Sequence, residues 1–213
     1  MDALSRAPPR RTYHHGDLRQ ALLEAGIALA RDGGPGAVVL REATRRAGVV
    51  PNAAYRHFAS RDALLQAVRS AALSALAVAM ERELSRVRGA GAQADVARAS
   101  LRAIGTAYLR FARTEPGLFR MAFSVPGDPE VARSPAMAGR SGLNPFQLLG
   151  VALDRMVEAG VLSAERRTGA EYLAWSAVHG LAMLALEGPL RRLSRADLRQ
   201  IEQRLLTMVE QGL

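Results

Sequence analysis

The amino-acid sequence predicts an all-α protein, on three observations. Apolar residues make up 49% of the 213 positions while aromatics make up only 5%, so the core is built mainly from Ala, Leu and Val, and Ala and Leu are strong helix formers. Apolar positions recur at spacings of three and four, and no stretch shows the sustained alternation of a half-buried strand. Clusters of Gly and Pro interrupt the chain at intervals suited to helices rather than strands. The length leaves room for a small N-terminal domain and a larger body.

Residues 1–12 carry Pro8, Pro9, Arg6, Arg10 and Arg11 without a helical period and read as a flexible basic arm. A first helix is predicted from Gly16 to Arg31, with Leu18, Leu22, Ala25 and Leu29 along one face and Gly33-Gly34-Pro35-Gly36 stopping it. A second helix spans Leu40 to Ala47, with Ala43 and Ala47 on a shared face. Gly48 then suits a helix end that turns sharply, and Pro51 suits the first turn of a third helix running to Phe58. Two short helices joined by such a turn, with small residues at the crossing, form a helix-turn-helix within a domain of residues 13–60. Ser60 is a good N-cap, and Asp62 favours the first turn, of a long connecting helix that carries Leu64, Leu65 and Val68 toward Arg88. Gly89 and Gly91 end this segment, residues 61–92.

The body, residues 93–213, opens with a helix from Gln93 to Thr114 that carries Leu101, Ile104, Tyr108 and Phe111. Glu115-Pro116-Gly117 breaks it, and a short apolar helix with Leu118, Phe119, Met121 and Phe123 follows. The prolines and glycines of Val125–Asn144 predict a long loop. Further helices are expected at Pro145–Glu158, Arg167–Leu186 and Ser194–Glu210, the last with Leu198, Ile201, Leu205 and Met208 in a stripe. Such a stripe fits either the body's own core or a second copy of the chain.

The net charge is +9 and every basic residue is arginine. Residues 1–61 hold ten arginines against five acidic residues, and the remaining 152 hold nineteen against fifteen. Arginine-rich composition explains the absence of lysine but not this asymmetry, which points to a polyanion at the N-terminal end. The absence of cysteine excludes disulfides, zinc knuckles and thiol catalysis. No signal peptide is expected, and no segment is expected to approach the apolar length needed to cross a bilayer, the richest run being Ala71–Met80. A soluble cytoplasmic protein is expected.

An enzyme is poorly supported. Gly139-Arg140-Ser141-Gly142 has the wrong spacing for a nucleophile elbow, and there is no Gly-rich phosphate loop. His14, His15, His57 and His179 are not set with acidic residues at metal-ligand spacing, so no metal and no cofactor is expected. A membrane-surface protein would concentrate its arginines along one bulky apolar helix, whereas here they are spread over many.

Arg41 at the start of the second helix, Ala47-Gly48-Val49 at the turn, Tyr55-Arg56-His57-Phe58 on the third helix and Arg61 at the next follow one ordered pattern. By it, residues 13–70 resemble the DNA-binding domain of the TetR family of bacterial transcriptional regulators. A second, shorter resemblance lies in Trp175–Gly180 (WSAVHG), which is similar to the Trp-His-Gly signature of one C-terminal subfamily. The resemblance implies a homodimer formed through the last two helices, double-stranded DNA as partner and a small-molecule effector in the body. Repression is the family default.

In a recognition helix lying in the major groove, the N-terminal residues face base edges. Pro51, Asn52, Ala53 and Arg56 are the candidate readers: Asn52 for adenine, Arg56 for guanine and Ala53 for a thymine methyl. Arg56 suits phosphate or solvent as well. Arg41 resembles the family residue that reaches a base edge, while Tyr55, His57 and Arg61 suit phosphates. His57 fits a helix-end cap too, and the N-terminal arm fits either a minor-groove contact or a free tail. The family usually places Ser or Thr caps where this chain has Val39 and Val50, and larger aliphatic residues where it has Ala43 and Ala54. The head is therefore expected to be loosely packed when free and to firm up on DNA.

For the body, Tyr108, Phe111, Phe119, Phe123, Phe146, Trp175, His179 and Met183 are candidate pocket residues for a mostly apolar effector with one polar end. Trp175 and His179, four apart, share a helix face; a core role for this pair stands beside the pocket role. The alternative to a ligand-released repressor binding a palindromic operator is a constitutive or low-specificity DNA-binding protein without an effector.

Overall fold

The computed structural model describes residues 15–87, 89, 91–124 and 134–213. The basic arm, His14 and the first part of the predicted loop, residues 125–133, lie outside them. Ten α-helices form the frame, and no strand occurs among the described residues.

Three helices make the head: α1 (His15–Gly33), α2 (Leu40–Ala47) and α3 (Pro51–Ala54). They pack with the first turns of α4 (Arg61–Leu84) around Leu22, Leu29, Ala43, Ala54, Phe58, Leu64 and Val68, all buried. α2 has the predicted bounds. Gly48 closes it at φ 69° and ψ 30°, with its amide donating to the carbonyls of Arg45 and Thr44. That is the left-handed C-terminal turn for which glycine is the least strained residue. Val39 and Val50 occupy the N-cap positions of α2 and α3 and make no side-chain cap. Ser60, by contrast, caps α4 by accepting from the Ala63 amide.

The third helix is shorter than predicted, ending at Ala54 instead of Phe58. The amides of His57 and Phe58 both donate to the Ala54 carbonyl, so Tyr55-Arg56-His57 continue as a turn. Within two residues the chain must bury Phe58 in the head core and reach the extended conformation of Ser60 that caps α4. That demand overrides the helical period.

α4 corrects another expectation. It stops at Leu84, and an 18-residue window within it has a mean hydropathy of 1.6, so by length and composition it does reach bilayer-spanning scale. Alanines between the leucines supply the length that the Ala71–Met80 run alone lacks. Half of the window is buried in the protein, because α4 is the shared core helix of head and body: Leu64 and Val68 serve the head, and Leu76, Ala77 and Met80 serve the body.

The body comprises α5 (Gln93–Thr114), α6 (Pro116–Ser124), α7 (Pro145–Glu158), α8 (Ala164–Arg167), α9 (Ala170–Leu186) and α10 (Arg195–Gly212). α5 is central and packs on α4, α7, α9 and α10. α7 begins with a reciprocal capping box, in which the Asn144 side chain accepts from the Gln147 amide and the Gln147 side chain from the Asn144 amide. The helix predicted from Arg167 to Leu186 starts three residues later, at Ala170, and Arg167 instead closes the short α8. Gly169 sits at φ 78° between α8 and α9, a conformation that ends one helix and lets the next start at a new angle. The stripe on the last helix divides as well. Leu198, Ile201 and Leu205 pack partly on the body's own core and Leu206 is buried there, while Met208 faces solvent.

Head and body meet directly. The N-terminal turn of α6 lies on the end of α1 at Gly117, beside an Arg31–Glu115 ion pair of 3.1 Å. A second tie holds the turn before α7 to α4, where the Glu81 carboxylate accepts from the amides of Arg140 and Ser141 and from the Ser141 hydroxyl. Burial pushes the Glu81 carboxyl upward, but those hydrogen bonds win and hold it below the usual carboxylate value.

Candidate DNA-reading head and body cavity

The head presents a short row of polar side chains on α2, α3 and the turn after α3. Arg41, Asn52, Tyr55 and Arg56 are exposed, Tyr55 by 57%. Ala53 and His57 are half-buried, and Pro51 opens α3. Neighbouring arginines are already committed, Arg45 to Glu42 at 2.6 Å and Arg46 to Asp32 at 2.8 Å. Arg41 and Arg56 enter no ion pair among the described residues, so their charges are available to an outside anion. Asn52 and Ala53 lie in the first turn of α3, with the Ala53 amide donating to the Val50 carbonyl.

Arg61 is tied into the head by part of its guanidinium. Its Nε donates to the Val38 carbonyl at 2.9 Å and its Nη2 to the Pro35 carbonyl at 3.1 Å. Much of this side chain is thus spent joining the start of α4 to the 3-10 turn at Pro35–Ala37, which fixes where α2 begins.

The body encloses a cavity of about 690 Å³ between α4, α5, α7, α9 and α10, a size usual for small-molecule sites. Its wall is largely apolar and includes Leu73, Met80, Leu101, Ile104, Leu149 and Val178. Of the eight candidates, Tyr108, Phe123, Phe146 and Trp175 line it. Phe119 and His179 stand behind this wall: their rings stack with centroids 5.7 Å apart, and each also meets Tyr108 and Phe123. Phe111 is buried on another face of α5, toward Arg31 and Leu118. Met183 is half-buried on the body core and does not line the cavity.

Tyr108 joins these rings chemically. The Trp175 indole N–H donates to its hydroxyl at 3.1 Å, and the hydroxyl lies 2.7 Å from His179 Nδ1. An indole can only donate, so the phenol accepts there, and it shares one further hydrogen bond with His179 Nδ1 whose direction follows the imidazole tautomer. Burial lowers the His179 pKa, in line with a neutral ring. Burial also raises the Tyr108 pKa well above its ordinary value, against the smaller lowering effect of the Trp175 hydrogen bond. The polar groups read from the sequence as facing a ligand are therefore bonded to each other. Trp175 and His179 are both core-supporting and, through the indole face, part of the wall.

The sequence reading missed the α4 side of the cavity and, apart from Phe146, its α7 side. Long-range packing brings Leu73 and Leu149 together, and no local period reports it. Arg69 did carry a signal, a single cation inside the apolar run of α4.

Comparison with known proteins places both halves of the chain. Residues 22–68 match the model for bacterial regulatory proteins of the tetR family, and residues 101–209 match the tetracyclin repressor-like C-terminal domain. The second description does not name the Trp-His-Gly subfamily, which stays an expectation. A comparison with curated proteins finds no significant match.

Solved structures share the fold. A protein of unknown function from Rhodococcus sp. RHA1 aligns with a TM-score of 0.74 at 24% identity, over 96% of this chain and 99% of that one. The transcriptional regulator FadR from Bacillus subtilis, solved with stearoyl-CoA, aligns with a TM-score of 0.66 at 12% identity, over 91% and 98%. A TetR-family regulator from Pectobacterium atrosepticum aligns with a TM-score of 0.61 at 20% identity, over 96% of both chains. With a helix-turn-helix head, a largely apolar cavity in the body and family models matching across both, this chain belongs to the TetR family of DNA-binding transcriptional regulators.

Proposed function

We propose that the protein is a ligand-released repressor that binds a palindromic operator as a homodimer. One observation carries the reading: α4 is shared. Its first turns build the head core through Leu64, Leu65 and Val68, and its next turns line the body cavity through Arg69, Leu73 and Met80. A molecule filling the cavity pushes on the same rigid helix that positions α2 and α3. Operator half-sites lie a fixed number of helical turns apart, so a shift of a few ångströms between two heads weakens binding. FadR with stearoyl-CoA and RolR with resorcinol are ligand complexes within the same fold, and they support a body of this kind holding an effector.

A second copy fits the outer face of α9 and α10. Leu173 and Met208 are 66% and 58% exposed. Gly180 lies between Leu173 and Leu184 on that face, and a Cβ there would meet nothing within 4 Å of this protomer. An exposed apolar face centred on a glycine allows another helix to approach closely. On the DNA side, Arg41, Asn52 and Arg56 read base edges, with Pro51 and Ala53 in contact beside them, and Tyr55, His57 and Arg61 hold phosphates.

Selection of bound duplexes from a random DNA pool tests the proposal. A recovered palindrome, weakened by Arg41→Ala or Asn52→Ala to the extent of about 1–3 kcal/mol and released by an effector, supports it. Salt-sensitive binding with no recovered sequence would leave the low-specificity DNA-binding reading in its place.

A further inference from the structure

The cavity is apolar but not neutral. Three charged side chains reach its wall: Arg69, Arg102 and Glu171. Two are compensated within the protein. Arg102 is paired with Glu210 and also reaches the Thr207 hydroxyl, and Glu171 holds Arg167 at 2.7 Å. The amide side chains at the start of α7 are engaged too, since Asn144 and Gln147 complete the capping box.

Arg69 differs from all of these. Its Nε and Nη1 are shielded from solvent and have no hydrogen-bond partner, and it enters no ion pair among the described residues. Burial pulls its pKa below the ordinary arginine value, with no neighbouring charge acting on it. A buried lysine can escape such a site by losing its proton, but a guanidinium in a protein stays charged. Burying an unpaired charge is costly, and the cost disappears when an anion supplies both counter-charge and acceptors.

We infer that Arg69 is the anchor for an anionic group, and that the effector is an amphiphilic monocarboxylate whose apolar body fills the cavity. One uncompensated positive charge suits one carboxylate. The walls formed by Leu73, Ile104, Leu149 and the Trp175 ring suit a hydrocarbon or aromatic body. The Tyr108 hydroxyl is already bonded to both Trp175 and His179. This rests on the effector-cavity reading above and adds its chemistry. It also gives that reading a lever, since charge pairing at Arg69 acts on α4 one residue beyond Val68 of the head core.

The test uses probes that differ only at the head group: dodecanoate, dodecanol and dodecyltrimethylammonium, each below its micelle concentration. Trp175 is the only tryptophan in the chain and lines the cavity, so its fluorescence reports occupancy. The expected result is that dodecanoate binds the full-length protein about tenfold or more tighter than dodecanol, with the cationic probe weakest. Arg69→Met should erase the preference for carboxylate over alcohol while leaving dodecanol binding in place. Arg69→Lys should keep part of it, and Arg155→Met, a surface control, should keep all of it.

Equal binding of dodecanoate and dodecanol by the unaltered protein overturns the inference, and so does a preference that survives in Arg69→Met. The comparison on unaltered protein stands even if Arg69→Met fails to fold. Equal binding of acid and alcohol leaves the effector cavity intact and removes only the anion anchor. No binding of any of the three removes the amphiphile inference together with the effector-cavity reading.

Discussion

Replacing Gly117 with alanine tests whether head and body are held together by direct backbone packing. A methyl group there would stand 2.5 Å from the Arg31 carbonyl oxygen and closer still to that of Ala30, whereas real Cβ atoms essentially never come within 3.0 Å. Both obstacles are main-chain atoms at the end of α1, so neither can rotate aside. α6 must back away from α1 by roughly an ångström to clear the nearer of the two.

That movement opens space around Leu118, Phe119 and Met121, which are all buried. Overpacking of this kind costs about 1–3 kcal/mol, while replacing a helical glycine with alanine returns less than about 1 kcal/mol. The expected net loss is about 1–2 kcal/mol in urea denaturation, read as a lower midpoint with an unchanged slope. Because the crossing joins head to body, operator affinity should fall as well. Gly36→Ala is the internal control, with nothing near its added methyl. A Gly117→Ala protein as stable as the parent would refute the tight-crossing argument.

Further outcomes are expected elsewhere. Val39→Thr supplies the missing cap on α2 and should stabilise the head by about 0.5–2 kcal/mol; hydrogen exchange in α2 of the free protein should slow, and unchanged exchange would mean that the first turn is already satisfied. His179 has a pKa lowered by burial, so the unfolded chain takes up a proton first as pH falls. Stability should therefore decline below about pH 6.5 and level off beneath the lowered folded value, a window above that of Glu42 and Glu81, whose lowered values place their losses in the carboxylate range. Urea midpoints measured across pH 5–7 should show this decline in the parent and lose it in His179→Gln. Gly180→Leu should convert a dimer to monomers in size-exclusion chromatography with little loss of protomer folding, and an unaltered dimer would move the interface off this face.

Wherever neighbours in sequence are neighbours in space, the sequence by itself determined the structure. The bounds of α2, α5 and α7 follow from helical spacing and from the breaks at Gly48, Glu115-Pro116 and Asn144-Pro145, all of them short-range chemistry. The placement of Arg41, Asn52, Tyr55 and Arg56 on one stretch of exposed surface residues followed as well, because their pattern is local to α2, α3 and the turn beyond. Local period failed where a distant demand overrode it: α3 ends early so that Phe58 can enter the head core and Ser60 can cap α4. Arg61, read as a phosphate contact, turns back onto the Val38 and Pro35 carbonyls, an attachment made possible only by the fold of the chain before α2.

The cavity belonged to tertiary structure almost entirely. The Tyr108 hydroxyl meets Trp175 and His179 across about seventy residues of chain, and no spacing rule reports such a meeting. Whether a charge is compensated is likewise a property of space rather than of sequence. In the sequence Arg69 and Arg102 are both arginines set among apolar residues of long helices, and only the folded chain gives one of them Glu210 and leaves the other at the cavity wall with no ion pair among the described residues.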